Sequence, residues 1–397
     1  MRALFIGSYP NEIEPYRSVF FSLLGVELRE TELCPDTKKS VTDELLQALY
    51  RFSKKHDLAH LICDALEKNG LLDGNSEVGK KFIKERTLAF FKLERLRHEY
   101  ESAFKLFNQI GVNYLPLKGT VLRDLYREPW MRTSVDIDVL IHKEDLDKIT
   151  TNLEQRLEYV KLSQGAYDAV MVSPSGVHLE LHFNLITEQA NSQASTILSD
   201  VWKHTEADGF CHKMNDEYLY YYHLAHMARH FVDGGCGVRP FIDLWLLNSC
   251  DESVKEKRDQ LLEKGGLIKF AKACEKLASV WFDDKPMLDE LSLFESFILN
   301  GGVFGNKANQ VALHQSKSGG RFRYAMGRIF MPLAQMQYRY PVLKKHKWLY
   351  PFMVVRRLFA VIFKRDVKRI KKELQAGKKL STSQQEQTQN LLKDLGL

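Results

Sequence analysis

The stretch Val135-Asp136-Ile137-Asp138-Val139-Leu140-Ile141 decides how the rest of the chain is read. Its apolar positions are mostly β-branched, which predicts a strand. Side chains at i and i+2 of a strand share a face. Asp136 and Asp138 are therefore expected side by side, with Val135, Ile137 and Val139 pointing into the core. Adjacent carboxylates repel each other unless a cation lies between them. Hard oxygen ligands of this kind suit Mg²⁺ or Mn²⁺, which also grip phosphates.

Working outward, Asn113-Tyr114-Leu115-Pro116-Leu117 reads as a short strand closed by Lys118-Gly119-Thr120. A glycine there lets backbone N–H groups approach a phosphate closely. Lys118 and Arg132 are candidate cations for the phosphate charge. Val121 to Tyr126 reads as one or two helical turns, and Glu144 to Leu157 as a helix. Strands are expected at Ala169–Val172 and Val177–Phe183, on either side of the Pro174-Ser175-Gly176 turn. Within the second of these, Glu180 faces away from its neighbours Leu179 and Leu181. It is either an outer-face residue or a third metal ligand. This order of short strands and helices predicts an α+β unit, not a doubly wound sheet.

Helical patterns flank that unit. Leu45, Leu46, Leu49 and Phe52 recur at helical spacing, as do Phe90, Leu93, Leu96 and Tyr100. Turns are expected at Asn69-Gly70 and Asp73-Gly74-Asn75, and Gly111 falls just past a long helix ending near Ile110. Downstream, Tyr218 to His230 is the clearest helix. The expected division is a helical region at 1–110, an α/β core at 111–205 and a helical region packed on it at 206–300. A linker at 301–320, a basic aromatic helical region at 321–380 and a frayed polar tail at 381–397 complete it.

The Lys118-Gly119 turn, Leu125-Tyr126, Arg132, the Asp136–Ile141 strand and Glu180-Leu181-His182 together resemble the uncharacterised nucleotidyltransferase family of bacteria. That family lies within the polymerase-β-like nucleotidyltransferase superfamily. His56-Asp57-Leu58-Ala59-His60, and the later helix followed by Arg239 and Asp243, are similar to further elements of it. The resemblance runs over roughly Lys54 to Leu247, with its most specific motifs between Lys118 and His182. It implies a small mixed-sheet polymerase-β-like core flanked by helical regions. It also implies transfer of a nucleoside monophosphate from an NTP, ATP among the candidates, to an acceptor hydroxyl, with release of pyrophosphate. Asp136 and Asp138 would be metal ligands, and Glu180 a third ligand or a base. Lys118, Gly119, Thr120 and Arg132 would contact the nucleotide. Two positions depart from the usual pattern: Thr120 follows the glycine where Gly or Ser is common, and Glu180 stands where many relatives carry Asp. A catalytically inactive module of the same fold, binding nucleotide or a partner, is the alternative.

His223, His226 and His230 fall at i, i+3 and i+7, toward one helical face. No Glu occupies the zincin position, which favours structural or substrate-contacting histidines over a metal site. His182, His226, His230 and Arg239 are the candidate substrate contacts. Arg239 and Asp243, four apart, are equally read as a helical ion pair.

Composition bounds the partners. The 397 residues carry a net charge of +6, with 44% hydrophobic and 27% charged residues. Such a chain folds in more than one unit and suits an anionic partner. The six cysteines are scattered with no Cys-x-x-Cys pair, which predicts free thiols. No apolar run reaches the roughly 18–20 residues of a membrane span, and the N-terminus does not read as a secretory signal, so a cytoplasmic location is expected. Between Lys344 and Lys372, basic residues interleave with Trp348, Tyr350, Phe352, Phe359 and Phe363. That pattern fits an amphipathic helix on the protein's own core, peripheral contact with the inner face of a membrane, or a nucleic-acid surface.

Overall fold

A computed structural model describes residues 14–165, 167–185, 192–248, 252–302, 336, 342–354, 356 and 382–397. Among the described residues, five helices come first: α1 (Glu14–Arg29), α2 (Pro35–Lys39), α3 (Asp43–Lys55), α4 (Ala59–Lys68) and α5 (Glu77–Ile110). The Ser76 side chain caps α5 by accepting from the Gly79 N–H, and Gly111 ends it in the left-handed conformation at φ 63°. Glycine is favoured there because a Cβ penalises that region.

The sheet follows. Its strands are β1 (Tyr114–Pro116), β2 (Asp136–Ile141), β3 (Val160–Gln164), β4 (Asp168–Val172), β5 (His178–His182), β6 (Thr205–Asp208) and β7 (Cys211–Met214). Short helices α6 (Gly119–Leu122), α7 (Leu146–Leu157) and α8 (Ser192–Leu198) lie between them. The spatial order is β3-β4-β5-β2-β1-β7-β6. β2 pairs parallel with β5 and β1 parallel with β7, and the other pairings are antiparallel. Then come α9 (Asp216–Val232), α10 (Arg239–Leu247), α11 (Glu252–Lys264), α12 (Ile268–Phe282), α13 (Ser292–Gly301), α14 (Val342–Lys345) and α15 (Thr382–Leu395). The mixed sheet among helices is the α+β architecture expected.

The sheet separates two apolar layers. Ile137, Val139 and Ile141 of β2 and Leu179 and Leu181 of β5 pack with Phe107 of α5 and Ile149 and Leu153 of α7. Leu140, one residue out of step, joins Leu115 and Leu117 in a larger core with α1, α3, α4, α9, α10, α12 and α13. Alternation along the strand thus turns Asp136 and Asp138 toward the larger helical layer.

Several expectations change. Val135 is 63% exposed and precedes β2, so it does not join the core. The strands β3, β6 and β7 were not anticipated. β3 forms the sheet edge and is exposed along its whole length, so its Val160-Lys161-Leu162 alternation marks no buried face. The tail from 382 is helical rather than frayed, because Leu391, Leu392 and Leu395 bury an apolar stripe against α12. Leu392→Ala should cost about 2–3 kcal/mol in urea unfolding, as a buried truncation does. A loss below about 0.5 kcal/mol would mean the helix is undocked. Gly301 of the expected 301–320 linker closes α13, and residues 303–320 and most of the basic aromatic region fall outside the described residues. Of the latter, Trp348 and Phe352 are exposed. Among the described residues, no helix is long and apolar enough to cross a membrane. Cys34, Cys63, Cys211, Cys236 and Cys274 are free, with Cys34 exposed.

Candidate functional site

β1 delivers the chain to β2 through a bend. The Leu117 N–H donates to the Asp138 carbonyl at 2.9 Å. Lys118 then adopts φ 47°, ψ −120°, a conformation that is strained for a residue with a Cβ. The bend therefore turns at the lysine and not at Gly119. Gly119 serves close approach instead: a Cβ there would meet Arg132 Nη1 and Ser134 Cβ and Oγ at 3.0 Å. Beside it, Thr120 Oγ1 is enclosed without a hydrogen-bond partner among the described residues.

The strained turn returns the lysine to β2. Lys118 Nζ donates to Asp138 Oδ1 at 2.5 Å. His182 Nε2 lies 2.8 Å from the same oxygen. Parallel pairing sets Asp136 opposite His178, Asp138 opposite Glu180 and Leu140 opposite His182. In-register neighbours on adjacent strands share a face, so Asp136, Asp138, Glu180 and His182 project together. Glu180 Oε2 is 3.5 Å from His182 Nε2. Ligand atoms of Asp138, Glu180 and His182 all lie within 4.8 Å of one another.

Electrostatics divides the three acids. Burial alone would push the Asp138 carboxyl up, yet the Lys118 charge and the His182 hydrogen bond hold it down to about 2. Its stabilising contribution is complete above the ordinary value of 3.8 and is lost as pH falls toward 2. Asp136 is shifted upward by burial first and by the Asp138 charge second. Glu180 is raised by burial and then by Asp138, with Lys118 opposing. The cluster therefore holds more negative charge than Lys118 balances. Glu180→Gln should raise stability by about 1 kcal/mol in metal-free buffer by relieving that repulsion. A lower melting temperature for this variant would contradict the account.

The remaining candidates separate. Arg132 is buried and grips Asp243 with Nε at 3.2 Å and Nη2 at 2.9 Å. Asp243 also accepts from the Tyr126 hydroxyl at 2.8 Å. Arg239 and Asp243 form no pair with each other: Arg239 Nη1 donates to Asp57 at 3.0 Å and to the Thr133 carbonyl at 3.0 Å. The i, i+4 spacing was overridden by partners from other elements. Arg239 stays near the cluster, since its charge favours ionised Asp136. The helical arm reaches the same loop, with His60 Nε2 bonded to the Met131 carbonyl at 2.8 Å.

On α9 the three histidines do not converge. His223 Nε2 donates to the Pro240 carbonyl at 2.9 Å, whereas His226 and His230 meet each other. Tyr222, which the sequence reading passed over, is buried beside the cluster, where burial pushes its phenol up to about 12 and the charges of Lys118, Asp138 and Glu180 all act on it. Its place four residues before His226 was the available signal.

Residues 43–283 match the family described as "Uncharacterised nucleotidyltransferase". The chain belongs to this nucleotidyltransferase family. The family span runs from α3 through α12 and contains every residue of the carboxylate cluster. Membership assigns the chain to nucleotidyl transfer in general terms. No curated protein matches the chain.

Proposed function

We propose that this nucleotidyltransferase moves a nucleoside monophosphate from an NTP to an acceptor hydroxyl, releasing pyrophosphate. The observation that supports it is the in-register placement of Asp138 and Glu180, beside Asp136 and under the strained Lys118 bend. The donor set fits a divalent cation: two carboxylates and an imidazole with ligand atoms within 4.8 Å of one another. Oxygen donors select Mg²⁺ or Mn²⁺, and the imidazole is better tolerated by Mn²⁺. Asp138, Glu180 and His182 would hold the ion, with Asp136 adding charge. When bound, it would neutralise phosphate charge as pyrophosphate departs.

The chain's own groups do the rest. Lys118 can exchange Asp138 for a phosphate oxygen, which preserves a charge-assisted hydrogen bond. The Thr120 hydroxyl, without a hydrogen-bond partner among the described residues, would donate to the same phosphate once the bend opens. Arg132, with its guanidinium committed to Asp243, supports the loop that carries the chain from α6 into β2. Arg239 steadies the same loop through Thr133 and adds positive charge near Asp136.

The direct test incubates the full chain with each labelled NTP and Mg²⁺ or Mn²⁺. Pyrophosphate release that vanishes in Asp136→Asn/Asp138→Asn supports transfer. One observation favours the alternative, an inactive nucleotide- or partner-binding module: the Lys118–Asp138 contact ties up the central carboxylate. That reading predicts thermal stabilisation by NTP with no pyrophosphate. Peripheral membrane contact is a separate proposal, supported by exposed Trp348 and Phe352. Liposome flotation of a chain truncated at Tyr340 tests it.

A further inference from the structure

Beyond the carboxylate cluster, a polar stripe on α9 runs outward from the core, where Tyr222 is packed. Tyr222, His226 and His230 follow at four-residue spacing and so line one face of the helix. Exposure is graded along it, from buried Tyr222 through half-buried His226 to exposed His230. The Nε2 atoms of His226 and His230 face each other at 2.9 Å, with ring centroids 4.3 Å apart and planes at 79°. Tyr222 continues the stripe inward, its ring centroid 6.1 Å from that of His226. The stripe lies within electrostatic reach of the cluster: the charges of Lys118 and of Arg229 act on all three groups, and that of Asp138 on Tyr222 and His230.

Two imidazole nitrogens at this separation share one proton: one donates and the other offers its lone pair. The pair can therefore take up a proton once its internal hydrogen bond opens. Burial, followed by the Lys118 charge, holds His226 well below its ordinary range, which keeps it neutral near pH 7. A phosphate on Lys118 would cancel one part of that opposition, the part that follows burial in size, and leave the Arg229 charge. The stripe carries no formal charge of its own, so it offers hydrogen bonds without an ionic partner.

We propose that His226 and His230 form the proton-accepting pair for the acceptor, and that the acceptor is an uncharged hydroxyl compound lying along the Tyr222–His226–His230 stripe. This rests on the nucleotidyl-transfer reading above. The acceptor oxygen bonds to the α-phosphorus, and the bond from that phosphorus to the oxygen leading to the β-phosphate breaks. Pyrophosphate leaves with the electron pair. The hydroxyl proton passes to the Nε2 lone pair released when the His226–His230 hydrogen bond opens, and reaches solvent from exposed His230.

The test uses the full chain with Mg²⁺, ATP and glycerol as the probe hydroxyl compound. Binding of α,β-methylene ATP is followed by calorimetry. In His226→Gln/His230→Gln, analogue binding should persist while pyrophosphate release falls by about 10²–10³-fold, the range of a lost general base. Free imidazole should restore part of the rate in His226→Gly, which a packing role would not allow. Unchanged release in the Gln variant overturns the proposal, as does loss of analogue binding in both variants or failure of imidazole rescue. If Asp136→Asn/Asp138→Asn also matches the unsubstituted protein, nucleotidyl transfer itself fails and the pair's role goes with it.

Discussion

Asp138→Asn should reduce nucleotidyl transfer by about 10²–10³-fold or more, the scale on which a single electrostatic group acts at a reacting centre. The amide keeps the carboxylate's shape but removes the charge that faces Lys118, His182 and Glu180. A divalent ion would lose its most buried oxygen ligand. Lys118 would lose the partner that holds its bend near the cluster. The fold should survive, because β2 keeps its pairing with β1 and β5 and its apolar face stays with α5 and α7. Pyrophosphate release measured beside circular dichroism separates the two effects. A folded variant that retains activity within about tenfold, less than one such group supplies, would remove Asp138 from the chemistry.

Asp243→Ala should be the most destabilising single change in the region, at about 3–5 kcal/mol, the cost of breaking a buried pair. Asp243 is 1% exposed and receives both Arg132 and the Tyr126 hydroxyl. Its removal strands a guanidinium and a phenol in the interior. Replacing both charges together, as Arg132→Met/Asp243→Leu, should recover most of the loss, since the uncompensated charge rather than the pair itself dominates the penalty. Chemical denaturation of the single and double variants measures the difference. A single variant within about 1 kcal/mol of the starting protein, the size of an ordinary surface substitution, would show that the pair is not closed in solution.

Much of the candidate site's geometry was legible because strand periodicity is short and strict. Asp136 and Asp138 at i and i+2, and Glu180 between two leucines, could only project from one face of their strands. The sequence could not reveal that β2 and β5 are neighbours in parallel register, and that pairing is what unites Asp138, Glu180 and His182. Long-range ion pairs were equally hidden. Arg132 read as a phosphate contact and Arg239–Asp243 as a helical pair, whereas α10 exchanges partners with a loop more than 100 residues earlier. Local spacing ranks near neighbours well but carries no information about such exchanges. Edge strand β3 and helix α15 were missed for a related reason. Their apolar residues are few: β3 is held by backbone pairing with β4 while its side chains stay exposed, and α15 by burial against α12, neither of which periodicity shows.

The central claim is that the face shared by Asp136, Asp138, Glu180 and His182 is where cation and nucleotide meet. Crystals of the full chain soaked with Mn²⁺ and α,β-methylene ATP, recorded at the manganese edge, test it most directly. The account predicts an anomalous peak within bonding distance of Asp138 and Glu180, with Lys118 drawn from Asp138 onto a phosphate oxygen. A peak elsewhere, or nucleotide bound away from the Lys118 bend with Lys118 still on Asp138, would contradict it.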